Sequence, residues 1–146
     1  MKTIALRFGE HFAPECGTIA AHQKIIDEMG FVWYGKLGAP ISEKVKTEIL
    51  SLPQPRILLI SSGKAGRYWA HVCEIQRETP VCDAIPLYYR EFSNKFKSWF
   101  KITSINPAPK NIMSQCRVAS SQAPLGEASR HSMSPYFIIC YEEVGA

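Results

Sequence analysis

The side chains with chemistry to offer fall into three groups. The first is aromatic: Trp33, Trp69 and Trp99 each stand beside another ring or a cation, in Trp33-Tyr34, Tyr68-Trp69 and Trp99-Phe100-Lys101. Indole rings in such company either stack on a planar ligand or fill a core, and the residues alone leave both open. Gly35, Lys36 and Gly38 follow Trp33 closely, which predicts a turn there and makes Trp33 the leading candidate for an accessible ring. The second group is Ser61-Ser62-Gly63-Lys64, whose hydroxyls, ammonium and turn amides suit a phosphate at a strand end. It lacks the spacing of a P-loop, and a plain hairpin turn is the simpler account. The third group is basic: from Asn94 to Lys110 the chain has four lysines, Lys97 and Lys101 among them, and no acid. Arg117 and Arg130 carry that basic character further along.

Nucleophile and metal chemistry find little support. His11 shares a loop with Glu10 and Cys16, the residue types of a Cys/His nucleophile, but nothing supplies a third orienting group. The four histidines have no metal-ligand spacing, and the five cysteines (Cys16, Cys73, Cys82, Cys116, Cys140) contain no C-x-x-C pair. An odd number of scattered cysteines suits free thiols in a reducing compartment, with Cys73 and Cys140 read as small buried hydrophobes. No metal, disulfide or cofactor is expected. His22 falls on the apolar stripe of a helix and reads as a core histidine.

The elements that must position these groups follow from periodicity. Ile4, Leu6 and Phe8 alternate with Thr3, Ala5 and Arg7, so residues 1–8 form a strand. Thr18 caps a helix to Met29, with Ile19, His22, Ile26 and Met29 on one stripe and Gly30 as the stop. Residues 31–34 are a short strand, and Ser42 caps a second helix ended by Pro53. Residues 56–60 and 67–76 pair as an antiparallel hairpin. In the second arm Tyr68, Ala70 and Val72 share one face, and Trp69, His71, Cys73 and Ile75 the other. Residues 85–97 are ambiguous, with Tyr88, Tyr89, Phe92 and Phe96 at helical spacing. Residues 98–105 and 136–141 are strands, and the Pro- and Ser-rich stretch between them yields one short helix near Ile112.

At 146 residues and 46% hydrophobic, the chain makes one domain, 1–146, with a substantial core. No apolar run approaches a membrane span, and the N-terminus has no signal-peptide core, which together argue for the cytoplasm. The net charge of +4 and a pI near 8.8 are compatible with a polyanionic partner without demanding one. Strands interrupted by two early helices suggest α+β with a curved or barrel-like mixed sheet.

The order of features resembles the EVE branch of the PUA-like superfamily. The likeness rests on the hydrophobic strand ending in Ser61-Ser62-Gly63-Lys64, the acidic turn from Glu78 to Asp83, Ser98-Trp99-Phe100-Lys101-Ile102, and Ser129-Arg130-His131-Ser132-Met133-Ser134-Pro135. It spans roughly residues 56–141. The Lys-Ser-Glu-Pro-like opening of that family is absent; Arg7-Phe8-Gly9-Glu10 stands there instead. The resemblance implies a small barrel of five or six strands, flanked by two or three helices, with a pocket for a single base, often a modified one, in DNA or RNA.

A base reader needs a flat stacking surface and a few fixed hydrogen-bonding groups. On this reading Trp33, Tyr34, Trp69, Trp99 and Ser132 serve the base. Ser61, Ser62, Lys64, Lys97, Lys101 and Arg130 serve the phosphates. Two other readings compete. One is a small ASCH-like amidohydrolase acting on a modified pyrimidine nucleoside, with Lys101, Thr103 and Glu74 in its pocket. The other is a protein-interaction domain. The oligomeric state is not legible.

Overall fold

The computed structural model describes residues 1–8, 14–61, 66–89 and 95–142. Its elements run β1 (Lys2–Phe8), α1 (Thr18–Met29), β2 (Val32–Leu37), α2 (Glu43–Leu50), β3 (Arg56–Ser61), β4 (Tyr68–Gln76), β5 (Phe96–Pro107), α3 (Ile112–Gln115), β6 (Arg117–Val118), α4 (Leu125–His131) and β7 (Tyr136–Cys140). The strands form a single seven-stranded sheet in the order β2-β5-β4-β3-β1-β7-β6. β1 and β3 are parallel; every other neighbouring pair is antiparallel. The sheet curls until its distant members meet: the Lys36 ammonium of β2 lies 4.4 Å from the Tyr136 ring centroid of β7. The result is the expected α+β fold, a curved mixed sheet short of closure.

Alternation along the strands sorts the core into an inner and two outer clusters. The inner face gathers Ile4, Leu6, Phe8, Val32, Tyr34, Ile57, Leu59, Phe100 and Ile102, with Ile19, Ile25 and Ile26 of α1 packed against it. On the outer face Leu58, Ile60, Trp69, Phe137 and Ile139 meet Ile112 of α3 and Leu125 of α4. A third cluster places Trp33, Phe96 and Trp99 beneath Ala84, Ile85 and Tyr89. Cross-strand partners explain the last grouping, because Trp33 stands opposite Lys101 and Gly35 opposite Trp99, so all four share a face.

Local chemistry accounts for most element ends. Ser42 accepts the Val45 N–H at 3.2 Å and opens α2 as expected. Gly30, at φ 87°, closes α1 by donating its N–H to the Ile26 carbonyl. The N-cap of α1 is Gly17, however, and Thr18 is the first helical residue. The hairpin of β3 and β4 holds, with Ile57 opposite Ala70 and Leu58 opposite Trp69.

Several expectations need correction. β2 does not end at Tyr34; it continues through Gly35 and Lys36 to Leu37, so the expected turn after Trp33 is strand. The long stretch before β7 contains α4 and the two-residue β6 besides α3, which among the described residues raises the strands to seven and the helices to four. β4 does not keep strict alternation, because the register shifts between His71 and Glu74. This bulge turns Ile75 to the inner face beside Tyr68, Ala70 and Val72, and leaves Cys73 exposed. Cys140 is half-buried, and Cys116 is the buried thiol.

Candidate functional site

Where the sheet fails to close, a cavity of about 440 Å³ opens. Leu6, Arg7 and Phe8 of β1 form one side, and Tyr34, Gly35, Lys36 and Leu37 of β2 the other. Thr18 at the start of α1, Tyr88, Tyr89, Lys95, Phe96 and Pro135 complete the wall. The aromatic part is built in layers. Tyr89 packs on Phe96 with ring centroids 4.6 Å apart, meets Tyr88 edge-on at 4.8 Å, and faces Tyr34 edge-on at 6.3 Å. Two local features set this arrangement. The Trp33 N–H donates to the Ala84 carbonyl at 2.8 Å, which ties the segment before Tyr88 and Tyr89 to the outer edge of β2. Gly35 leaves space for Phe96, since a Cβ there would lie 2.6 Å from its ring.

Behind these rings sits His22, 1% exposed. Its Nδ1 lies 2.8 Å from the Thr18 carbonyl, which only accepts, so the proton resides on Nδ1. Nε2 is then a bare acceptor, buried and without a hydrogen-bond partner. Burial outweighs the Thr18 bond and brings the pKa down from 6.5 to about 4, so the ring is neutral at pH 7. Its centroid is 5.0 Å from that of Tyr34 and 5.2 Å from that of Tyr89. Burial, with Tyr34 and Tyr88 nearby, holds the Tyr89 phenol above its usual range and therefore protonated.

Two cations among the cavity residues, Lys36 and Arg7, donate to carbonyl oxygens. Lys36, 5% exposed, donates to the carbonyls of Leu37 at 3.1 Å and Ala39 at 2.7 Å and lies over the Tyr136 ring. Desolvation pushes its pKa below the usual lysine range. The Arg7 guanidinium donates to three carbonyls of one segment, those of Ser129, Ser132 and Ser134, at 3.0–3.2 Å. Its backbone N–H donates to the fourth, that of Pro135, at 2.9 Å. β1 thus fixes the segment carrying Arg130 and Ser132, which leads into the cavity residue Pro135.

The residues singled out by type and spacing are scattered over this frame. Tyr34 lines the cavity. Trp33 and Trp99 are core residues of the same outer cluster, 6% and 0% exposed, and Trp69 belongs to a different cluster, beside Tyr141 and under Arg56. The three tryptophans therefore do not converge on one open pocket, because strand pairing faces Trp33 and Trp99 away from the inner side where Tyr34 lies. Ser132 and Arg130 are exposed on the segment held by Arg7, and Lys97 is exposed in β5 next to the cavity residue Phe96. Lys101 is elsewhere, paired with Glu74 at 3.4 Å and lying over Phe31. Thr103 is exposed, and neither it nor the Lys101–Glu74 pair lines the cavity. Ser61 ends β3, while Ser62 and Lys64, like Glu10 and His11, lie outside the described residues.

Arg7, Lys36, Thr18, Tyr88 and Phe96 are cavity residues that inspection of the sequence missed. The aromatic run from Tyr88 to Phe96 was a visible signal, and a lysine on the inward beat of β2 was another. Nothing in the sequence told which rings would face inward. Among the described residues, no group of three or more His, Cys, Asp or Glu side chains is placed to hold a metal ion, and no helix is long and apolar enough to cross a membrane.

No curated protein and no solved structure matches the chain. Among models of known protein families, the one described as Pua-like matches residues 4–139. The match reaches back through α2, β2 and α1 to β1, beyond the region in which short motifs alone suggested a likeness. The chain belongs to the PUA-like family, a family of nucleic-acid-binding modules.

Proposed function

We propose that this domain reads a single base, flipped out of DNA or RNA and in particular a modified one, in the manner of the EVE branch. The observation that carries the reading is the cavity between β1 and β2, with its wall of Phe8, Tyr34, Tyr88, Tyr89 and Phe96 and its polar fringe of Thr18 and Lys36. Its volume falls in the roughly 300–1,000 Å³ range of small-ligand sites. Aromatic rings beside a few fixed polar groups suit an extruded base, which presents a planar face for stacking and an edge for hydrogen bonds. Lys97, Arg130 and Ser132 would meet the flanking backbone, where exposed cations displace counterions from phosphate.

Tyr88 is the residue to test, being half-buried where Tyr34 and Tyr89 are buried. Removing a ring that stacks on a base weakens binding about five- to a hundred-fold. Tyr88→Ala should lower affinity for an oligonucleotide with a modified base by that factor, and Tyr88→Phe should retain most of it. Titration of matched modified and plain oligonucleotides, with melting of each variant as the folding control, gives the answer. Equal affinity of the unaltered protein for both oligonucleotides would remove modified-base recognition. Tyr88→Ala binding as well as the unaltered protein would remove the cavity as the site.

A further inference from the structure

The strand that supplies Tyr34 and Lys36 ends in an apolar tip. Leu37 closes β2, Gly38, Ala39 and Pro40 lead on towards α2, and all four are exposed. None has a polar side chain. Among the described residues six large apolar side chains are exposed, and of these Leu37, 54% exposed, is the one that also lines the cavity. The tip is uncovered: a Cβ on Gly38 would find, apart from its chain neighbours, no heavy atom of the described residues within 4 Å. It is also held from beneath. The buried Lys36 ammonium donates to the Leu37 carbonyl at 3.1 Å and to the Ala39 carbonyl at 2.7 Å. Those two carbonyls keep a donor when water is stripped from the tip, so moving it into an apolar setting costs less than for an open turn. Phe96, opposite Leu37 in β5, has an exposed lysine on either side of it in sequence, Lys95 and Lys97. An apolar point beside a base cavity and exposed cations fits a partner whose apolar faces are stacked inside a shell of phosphates. A bilayer would answer the tip and the cations but leave the aromatic cavity unused.

We infer that the tip is a wedge: it enters a double helix beside the extruded base, and Leu37 fills the space in the stack that the base has left. This rests on the reading of the cavity as a base site and goes beyond it, because it names duplex as the form of nucleic acid bound. A base drawn out of a duplex leaves its neighbours unstacked and its partner unpaired, and an apolar side chain in the gap restores contact. A single strand has no such gap to hold open.

The test uses short end-labelled oligonucleotides with one central target base, plain or methylated on its ring or its amino group, each as a duplex and as the same strand alone. Fluorescence anisotropy gives the affinities. Leu37→Ala should weaken binding of the preferred duplex about ten-fold or more, the loss expected when a leucine side chain is no longer buried, and leave single-strand affinity unchanged. Leu37→Phe, apolar and large, should keep duplex affinity, and melting curves report whether each variant folds. If Leu37→Ala weakens duplex and single strand alike, Leu37 is cavity wall only; the inference falls and the base reading stands. The same follows if Leu37→Ala binds duplex as well as the unaltered protein does, or if the unaltered protein binds single strands alone. If it binds neither form, both fall. Vesicles of phosphatidylcholine and phosphatidylserine supply the last arm. Vesicle binding that is lost in Leu37→Ala while duplex affinity stays intact would assign the tip to a membrane surface and overturn the inference.

Discussion

His22 occupies the point where the aromatic wall meets α1, packed against the Tyr34 and Tyr89 rings. The native ring stays neutral down to about pH 4, whereas in the unfolded chain it takes a proton below about 6.5. The unfolded state thus binds more protons between those values, so stability is full above pH 6.5 and is lost as pH falls toward 4, by about 3 kcal/mol in all. The melting temperature should be clearly lower at pH 5 than at pH 7.5, and His22→Leu should flatten the difference. A variant as acid-sensitive as the parent would assign the effect to another group. Gly35 is the second such residue. A methyl group there meets the Phe96 ring at 2.6 Å, so Gly35→Ala should cost about 1–3 kcal/mol, the usual penalty of overpacking. Phe96→Leu in that background should recover part of the loss, and denaturant unfolding of the two variants decides whether the steric account is correct.

Strand pairing, more than propensity, determines which side chains reach the cavity. Trp33 and Tyr34 are neighbours in sequence, yet one packs under Ala84 and Ile85 and the other faces the cavity, because β2 alternates. Trp33→Ala should therefore act as a core deletion, costing about 3–5 kcal/mol of folding stability. A variant that melts like the parent but binds weakly would return Trp33 to the ligand site. The link between β1 and the segment before β7 is equally specific. A lysine at position 7 would keep the charge but lose the planar fork that reaches three carbonyls of one segment. Arg7→Lys should thus quicken amide hydrogen exchange over residues 129–135, with little change across β3 and β4. Protection unaltered in that segment would show that the guanidinium does not hold it.

At the scale of the whole molecule, the basic residues divide between rim and remainder. Lys97 and Arg130 are exposed beside elements that form the cavity, so Lys97→Ala and Arg130→Ala should each reduce the salt dependence of nucleic-acid binding by roughly one unit of slope. Lys101 is paired with Glu74 and covers Phe31, and Lys101→Ala should leave that slope unchanged. An equal effect of all three would mean that binding spreads over the surface without reference to the cavity. Much of the frame was legible from residue order. Alternation in β1, the cap at Ser42, the stop at Gly30 and the β3–β4 hairpin depend on neighbours a few positions apart, and they lie where local chemistry puts them. The short α4 and β6 were not legible, since their Ser- and Pro-rich segment has weak intrinsic preference and owes its form to packing of Leu125 and Cys116 against the sheet.

Sequence by itself determined the α+β class, the order of the principal elements and the basic character of the C-terminal half, because composition and periodicity are local properties. It also held the residues of the cavity without marking them as such. Only the tertiary structure decided that Arg7 and Lys36, 29 positions apart, stand on opposite sides of one opening, and that Tyr88 and Phe96 join them there while three tryptophans pack elsewhere. The reason is geometric: the sheet's curl brings β2 round to β1 and β7, and that closure depends on contacts between strands far apart in the chain.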